Sequence, residues 1–437
     1  MSDPAAEETR SQTGGAAPRP DRRSLIDWFV GVRDFTLSLC EPLALEDYVL
    51  QNMADVSPTK WHLAHTTWFF ERFILREHVR DYEPWDSRYF FLFNSYYHTV
   101  GEMHSRPKRG QLSRPTVEEV RAYRREIDER LGAFISECGE ATLAQIAPLV
   151  ELGCHHEQQH QELLLTDIKY NLSCNPLLPV YREAPKSASA AAPAKRTWIT
   201  FEGGVREIGH AGSGFFFDNE GPRHEVLLRR YALASQLVTN AEFLAFLEDG
   251  GYERHELWLD LGYAAIREEG WNHPLYWFRR DGEWMQYTLG GPVPLEEAEP
   301  VCHVSCFEAD AFARWAGHRL PSEAEWEVAA ADLPVEGNLA ENGRFHAEAA
   351  ASGSGEAPVQ IYGDVWEWTA SPYVGYPGYR PLPGAIGEYN GKFMCNQYVL
   401  RGGSCATPRS HLRPTYRNFF PPDARWQFTG IRLAADL

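Results

Sequence analysis

His155-His156-Glu157-Gln158-Gln159-His160-Gln161-Glu162-Leu163-Leu164-Leu165, running on through Asp167 to Tyr170, is the stretch on which the rest of the chain depends. No proline or glycine interrupts His155 to Tyr170, and leucines fill its apolar positions, so it reads as a helix. On that helix His156 and His160 stand at i, i+4, one turn apart on one face and close enough to share an ion. The plainer reading is a hydrogen-bonded polar face. That reading weakens if a second helix also offers paired histidines.

One does. Ser57-Pro58 reads as an N-cap with proline at the first helical position, opening a helix through Trp61-His62-Leu63-Ala64-His65-Thr66-Thr67-Trp68-Phe69-Phe70-Glu71-Arg72-Phe73. Upstream, Ser24 to Cys40 places Leu25, Trp28, Phe29, Val32, Phe35 and Leu37 at helical spacing. Downstream, Thr116-Val117-Glu118-Glu119 is a capping box for a third helix reaching Ile135, and Pro148 is expected to restart a fourth that carries the histidines. Four helices of this length predict a bundle, whose interior can build a metal site from facing side chains. Between Glu83 and Arg114 the chain is irregular and aromatic (Tyr89, Phe90, Phe91, Phe93, Tyr96, Tyr97), then basic at Arg106-Pro107-Lys108-Arg109. A long aromatic loop in a compact domain points to function rather than disorder.

At 437 residues the chain exceeds one ordinary core, which predicts two domains. Residues 1–23, rich in Ala, Pro, Gly and charge, read as a disordered tail, 24–183 as the bundle, and low-complexity 184–197 as a linker. From Trp198 to Leu437 the sequence is rich in Gly, Trp, Tyr and Phe in short punctuated segments. Two helices stand out there, Asn240 to Leu247 and Glu308 to Ala316, within an irregular α+β domain. A net charge of −19 argues against nucleic acid or an anionic membrane as partner. No apolar run is long enough to span a bilayer, the polar N-terminus lacks a secretory h-region, and the eight sparse cysteines form no C-x-x-C pair. A cytoplasmic location is expected; oligomeric state is not readable.

His65 with His156 and His160 could bring three imidazoles to one face of a metal, leaving positions for substrate and dioxygen. Imidazole suits Fe, Zn, Cu and Ni alike. Gln159 sits beside the ligands and could support them or touch substrate. His156-Glu157-Gln158-Gln159-His160 also fits the HExxH pattern of zinc hydrolases, in which the glutamate is general base. The extended form of that motif fails, with Leu163 where glycine and Thr166 where a third histidine would stand. The hydrolase reading also leaves His65 and the aromatic loop without a role.

Trp61-His62-Leu63-Ala64-His65-Thr66, the Tyr96-Tyr97 pair and His155 to Leu163 resemble the DinB-like domain of the ergothioneine-biosynthesis sulfoxide synthases, the EgtB family. Arg319-Leu320-Pro321-Ser322-Glu323-Ala324-Glu325-Trp326-Glu327, Gly363-Asp364-Val365-Trp366-Glu367-Trp368-Thr369 and Arg401-Gly402-Gly403-Ser404 look like the formylglycine-generating-enzyme fold that follows it in that family. The resemblance spans about Ser24 to Leu437. It implies a multidomain chain, an all-α DinB-like four-helix bundle followed by an α+β, C-type-lectin-like domain, with the active site between them.

That family uses Fe(II) and O2 to join a cysteine sulfur to imidazole C2 of Nα-trimethylhistidine (hercynine), giving a sulfoxide. Carried over, His65, His156 and His160 are the iron ligands, and His62 is less suited. Tyr97, with Tyr96 beside it, resembles the tyrosine that gives up a proton or hydrogen atom during oxygen reduction; the plain alternative is a pair of core aromatics. Gln159 and Asn418 match positions that hold hercynine. Arg106 and Arg109, with Asp55 as an amine partner, could hold the carboxylate of the thiol substrate, unless they are solvated surface charges. Phe419-Phe420 replaces the Trp-Asp of actinobacterial members, which favours free cysteine over γ-glutamylcysteine. Thr407 and Leu412 stand where formylglycine-generating enzymes carry catalytic cysteines, so sulfatase maturation is not expected of Cys405 alone. A selenosugar donor, as in a selenoneine synthase, and a non-catalytic metal-binding protein are the remaining alternatives.

Overall fold

The structure, a computed structural model, describes residues 21–183, 196–351 and 357–437. Helix α1 (Arg22–Cys40) begins where the Asp21 carboxylate accepts from the amides of Arg23 and Ser24. Residues 22 and 23 are therefore helical and do not belong to the expected tail. The rest of that tail, 1–20, and most of the expected linker, 184–195, lie outside the described residues.

Helix α2 (Thr59–Phe70) has Pro58 as its extended N-cap, so it begins one residue later than expected, with Pro58 rather than Ser57 at the cap. It continues through a π-helical turn, Glu71–Leu75, to Arg76–His78. The turn buries Glu71, which accepts from the hydroxyls of Tyr82 and Tyr123. Helix α3 (Val117–Glu137) starts at the Thr116–Glu119 capping box read from the sequence. Helix α4 (Glu140–Ser173) is a single helix of 34 residues, about 51 Å long at the usual rise. Pro148 lies inside it and does not restart it as expected. A proline there removes one N–H and strains the preceding turn, but Ile146, Ala147, Val150 and Leu152 are buried around it and hold the helix continuous. Helix α1 packs on α3 and α4, and α2 packs on both as well, closing a four-helix bundle.

The second half is the expected irregular α+β unit. Its elements are β1 (Trp198–Phe201), β2 (Gly204–Ile208), β3 (His224–Leu228), β4 (Tyr231–Ala234), α5 (Asn240–Glu248), α6 (Asp260–Glu269), β5 (Trp277–Arg280), β6 (Glu283–Thr288), β7 (Gly291–Pro294), α7 (Cys306–Trp315), α8 (Glu323–Ala330), β8 (Trp366–Pro372), β9 (Tyr398–Arg401), β10 (Asn418–Phe420), β11 (Thr429–Gly430) and β12 (Ala434–Asp436). They form small sheets in the orders β1-β4-β12, β10-β9-β8-β11, β2-β3 and β5-β6-β7. Strand β12 returns to pair antiparallel with β4, so the chain end closes the first of these sheets. Helices α6 and α8 are additions to the two read from sequence. Ser322 caps α8 with a capping box to Glu325, and Gly270 ends α6 in the left-handed region.

The apolar core does not stop at the domain boundary. Buried residues from Leu25 to Leu433 form one cluster running through both halves. Polar ties along α4 join them. Glu162 accepts from Trp366 Nε1 (2.7 Å), Ser404 Oγ (2.5 Å) and Thr407 Oγ1 (2.7 Å). Further along, Lys169 Nζ donates to His303 Nε2 at 2.7 Å. Among the described residues no helix is long and apolar enough to cross a membrane.

Candidate metal centre

Helix α2 places Trp61, His65 and Trp68 on one face by helical spacing, and α4 brings His156 and His160 against it. One nitrogen from each of His65, His156 and His160 lies within 4.8 Å of the others, and His65 Nε2 is 3.2 Å from His156 Nε2. Two imidazole nitrogens bonded to one ion at about 2.1 Å cannot stand more than about 4.2 Å apart, so the close pair already has ligand spacing.

Neighbours decide which nitrogen each ring offers. His65 donates Nδ1–H to the Phe93 carbonyl at 2.6 Å, leaving the Nε2 lone pair toward His156. His62 gives its Nε2 proton to Asp167 (3.0 Å), and Asp167 also accepts from the Ser57 amide. With the His62 proton placed on Nε2, its Nδ1 accepts from His160 Nδ1–H, 2.9 Å away, and His160 keeps Nε2 as its donor for a metal. His62 is a partner of a ligand candidate, in keeping with its lower standing in the sequence. His156 Nδ1 is buried and, among the described residues, has no hydrogen-bond partner.

All three rings are held neutral. Burial, followed by the neighbouring His156, pushes His65 and His160 well below the ordinary imidazole range, and burial brings His156 down to about 3. A neutral imidazole is the form that ligates a metal. His65 is clasped between two indoles, stacked on Trp61 (ring centroids 4.6 Å) and Trp68 (5.5 Å). The layering continues outward at both ends. The Arg109 guanidinium lies 3.4 Å from the Trp61 ring centre, and Tyr97 packs on Trp68 at 5.7 Å.

Glu157, the supposed general base of the hydrolase pattern, faces the opposite way. Its carboxylate is bonded to Arg33 (2.7 Å), Arg124 (2.5 Å) and Thr36 (2.6 Å) on the α1 and α3 side. A zinc-hydrolase role needs that carboxylate at the metal, so the geometry rules the hydrolase reading out.

The other sequence candidates divide into two groups. Tyr97 is fully buried, its backbone clamped by Asn94, with Tyr96 stacked on it at 4.5 Å and the hydroxyls 3.4 Å apart. Burial raises both phenols, so they stay protonated. Gln159 is bonded at both ends of its amide, to the hydroxyls of Tyr389 and Tyr416. Arg109 is buried and bonded to the hydroxyls of Ser57 (2.9 Å) and Ser95 (3.2 Å). These stand around the histidines. Arg106 is at the surface, donating to the backbone carbonyl of Asp55 rather than to its carboxylate. Asn418 turns its side-chain oxygen to the Phe419 amide at 2.9 Å. Phe419 stacks on Tyr373 at 3.9 Å and reaches Tyr96 only through Phe393, while Phe420 leans on Trp426.

Sequence reasoning missed Tyr389. Its ring centre is 5.7 Å from that of His156, yet it sits in a loop whose only signal is aromatic density. Tyr416 and His411 were missed for the same reason.

Comparison with known proteins follows the same division of the chain. The sequence model of the DinB superfamily matches residues 29–164, and that of the sulfatase-modifying factor enzyme 1-like domain matches 183–356 and 350–437. The chain is 31% identical to a hercynine oxygenase of Mycolicibacterium thermoresistibile, covering 97% of each protein. It is 33% identical to one of Mycobacterium tuberculosis, over 76% of this chain and 81% of that one. A formylglycine-generating enzyme of Streptomyces coelicolor is 32% identical, over 58% of this chain and 96% of that protein. Thr407 and Leu412 are buried structural residues here, Thr407 being one of the donors to Glu162.

Proposed function

The chain belongs to the hercynine oxygenase family, and we propose that it is a non-haem iron(II) enzyme that joins the sulfur of L-cysteine to imidazole C2 of hercynine, giving hercynylcysteine sulfoxide. The thiol S–H and the imidazole C2–H are lost, a C–S bond forms, one oxygen atom of O2 ends on sulfur and the other leaves as water. The observation that carries this reading is the convergence of His65, His156 and His160, all neutral, beside the Tyr96–Tyr97 pair and Gln159. Zinc, copper or nickel would accept the same ligands; the need for a redox-active ion disfavours zinc, and the family resemblance favours iron over copper and nickel. Bound Fe(II) would bring thiol, imidazole and O2 together and exchange electrons with them.

Each protein group then has a task. Tyr97 holds a phenolic proton in a dry pocket and releases it as oxygen is reduced, with Tyr96 close enough to share it. Gln159 orients hercynine, and the half-buried Asn418, Phe419 and Phe420 are assigned to the outer wall of the substrate space, on the far side of Phe393. Arg109 is a buried cation whose hydrogen bonds, among the described residues, go to hydroxyls. Burial holds its guanidinium well below the usual range, so an incoming carboxylate would stabilise it. That suits the carboxylate of the thiol substrate, with Arg106 and Asp55 at the outer edge. Phe419 and Phe420 offer no acidic partner for a γ-glutamyl ammonium, which favours cysteine as donor. The eight free cysteines suit a reducing cytoplasm.

The test is aerobic incubation of the Fe(II)-loaded protein with hercynine and, in parallel, cysteine, γ-glutamylcysteine or a selenosugar, followed by O2 uptake and product mass. No uptake with both substrates present defeats the proposal. Faster turnover with another donor keeps the chemistry and replaces the cysteine.

A further inference from the structure

A chain of hydrogen bonds leads away from Gln159 on the side opposite Tyr389. Gln159 Nε2 donates to the Tyr416 hydroxyl at 2.7 Å, that hydroxyl meets His411 Nε2 at 3.0 Å, and His411 Nδ1 meets His155 Nδ1 at 3.1 Å. Tyr416, His411 and His155 are all buried. We propose that His155, His411 and Tyr416 are positioning residues that fix which end of the Gln159 amide faces the metal centre.

The polarity follows from counting protons. The Tyr416 oxygen accepts from Gln159, so its single proton goes to His411 Nε2. His411 then carries its proton on Nδ1 and gives it to His155 Nδ1, which leaves His155 protonated at Nε2. His155 lines a solvent pocket of about 510 Å3, where that last N–H can meet water. At the other end of the amide, Oε1 accepts from Tyr389. Reversing the chain would turn Gln159 Nε2 toward the Tyr389 oxygen and strip the buried Tyr389 proton of the acceptor it has among the described residues. The observed direction gives the Tyr389, Tyr416 and His411 protons each an acceptor.

Two consequences follow. Gln159 has one N–H left, so it meets the substrate as a donor, which fits a carboxylate oxygen of an amino-acid betaine; that ligand identity rests on the proposed function. Gln159 and His155 come from α4, whereas His411 and Tyr416 come from the second half, so the amide is aligned only when the two halves are docked.

Two measurements test this. In the zinc-loaded full-length protein with 15N-labelled histidine, the NMR pattern is expected to show His411 as the Nδ1–H tautomer and His155 as the Nε2–H tautomer, with His411 losing that preference in Tyr416→Phe. The opposite tautomers overturn the proposal whether or not the protein acts on hercynine. In turnover assays, Tyr416→Phe is expected to raise the KM for hercynine about tenfold, as loss of one buried hydrogen bond would. The KM for the thiol and the metal content should not move. His411→Leu should match it, and His411→Gln, able to accept from Tyr416 and donate to His155, should restore it. In a Gln159→Ala background Tyr416→Phe should have no further effect, and an additive effect there would mean that Tyr416 acts only through packing. Absence of wild-type turnover would sink the proposed function, and the tautomers would still decide the chain.

Discussion

His156 and Glu157 are neighbours in sequence, and α4 turns them toward two regions that handle burial in opposite ways. On the Glu157 side the bundle interior is ionic. Burial would raise that carboxyl, but Arg124 and Arg33 bring it down to about 2, and Arg33 is held in turn by Asp128 at 2.7 Å. On the His156 side there is no such compensation. Burial suppresses the charge on His65, His156 and His160, and their lone pairs converge on a space that a cation can enter. The first region satisfies its charges within the fold and so contributes to stability. The second keeps donor capacity unsatisfied and so contributes to binding.

Substitutions on the two sides should therefore fail differently. His156→Gln keeps volume and polarity but removes a ligand. Metal content at a fixed Fe(II) concentration should fall by more than the roughly 10–100-fold that loss of a supporting partner costs, and turnover should go with it, while the protein remains folded. Retained metal and turnover would break the contrast. Tyr97→Phe should sharpen it, lowering kcat by about 100–10,000-fold, the usual contribution of a placed proton donor, with metal content unchanged. An undiminished kcat would make Tyr97 a core aromatic only.

Glu157→Ala should do the reverse, leaving Arg33 and Arg124 buried without their carboxylate and costing about 3–5 kcal/mol in urea unfolding of the metal-free protein. If the variant instead loses metal at wild-type stability, the two regions are not separate. The pH dependence is a gentler version of the same test. Because the folded Glu157 value, about 2, lies below the ordinary 4.5, its contribution is present above pH 4.5 and is lost as the pH falls toward 2, an effect of roughly 3 kcal/mol. Glu162 has the opposite sign. Burial raises it, so its contribution is complete below 4.5 and is lost as pH rises through its folded value. Glu157→Gln should flatten the acid limb of stability against pH, and Glu162→Gln should steepen it slightly.

Much of the framework was legible in the chain itself. The Thr116–Glu119 box, the apolar spacing of α1 and the paired histidines of α2 and α4 are local signals, and local geometry fulfils them. Pro148 misled, because the penalty of an interior proline is local while the packing that overrides it comes from other helices. Helix α6 escaped notice because it is short and half exposed, and α8 because its capping box lay inside a motif read for its family resemblance.

By itself, then, the sequence determined the bundle, the irregular second half, the family resemblance and the two histidine pairs, since each depends on spacing within a few residues. Only the tertiary structure decided which nitrogen each ring presents, through the Phe93 carbonyl and the His62–Asp167 pair, and which way Glu157 points. It also decided that Tyr389, His411 and Tyr416 reach α4 from more than two hundred residues away. Helical periodicity fixes which face a side chain lies on. The partner waiting on that face is set by chain crossings that no local pattern encodes.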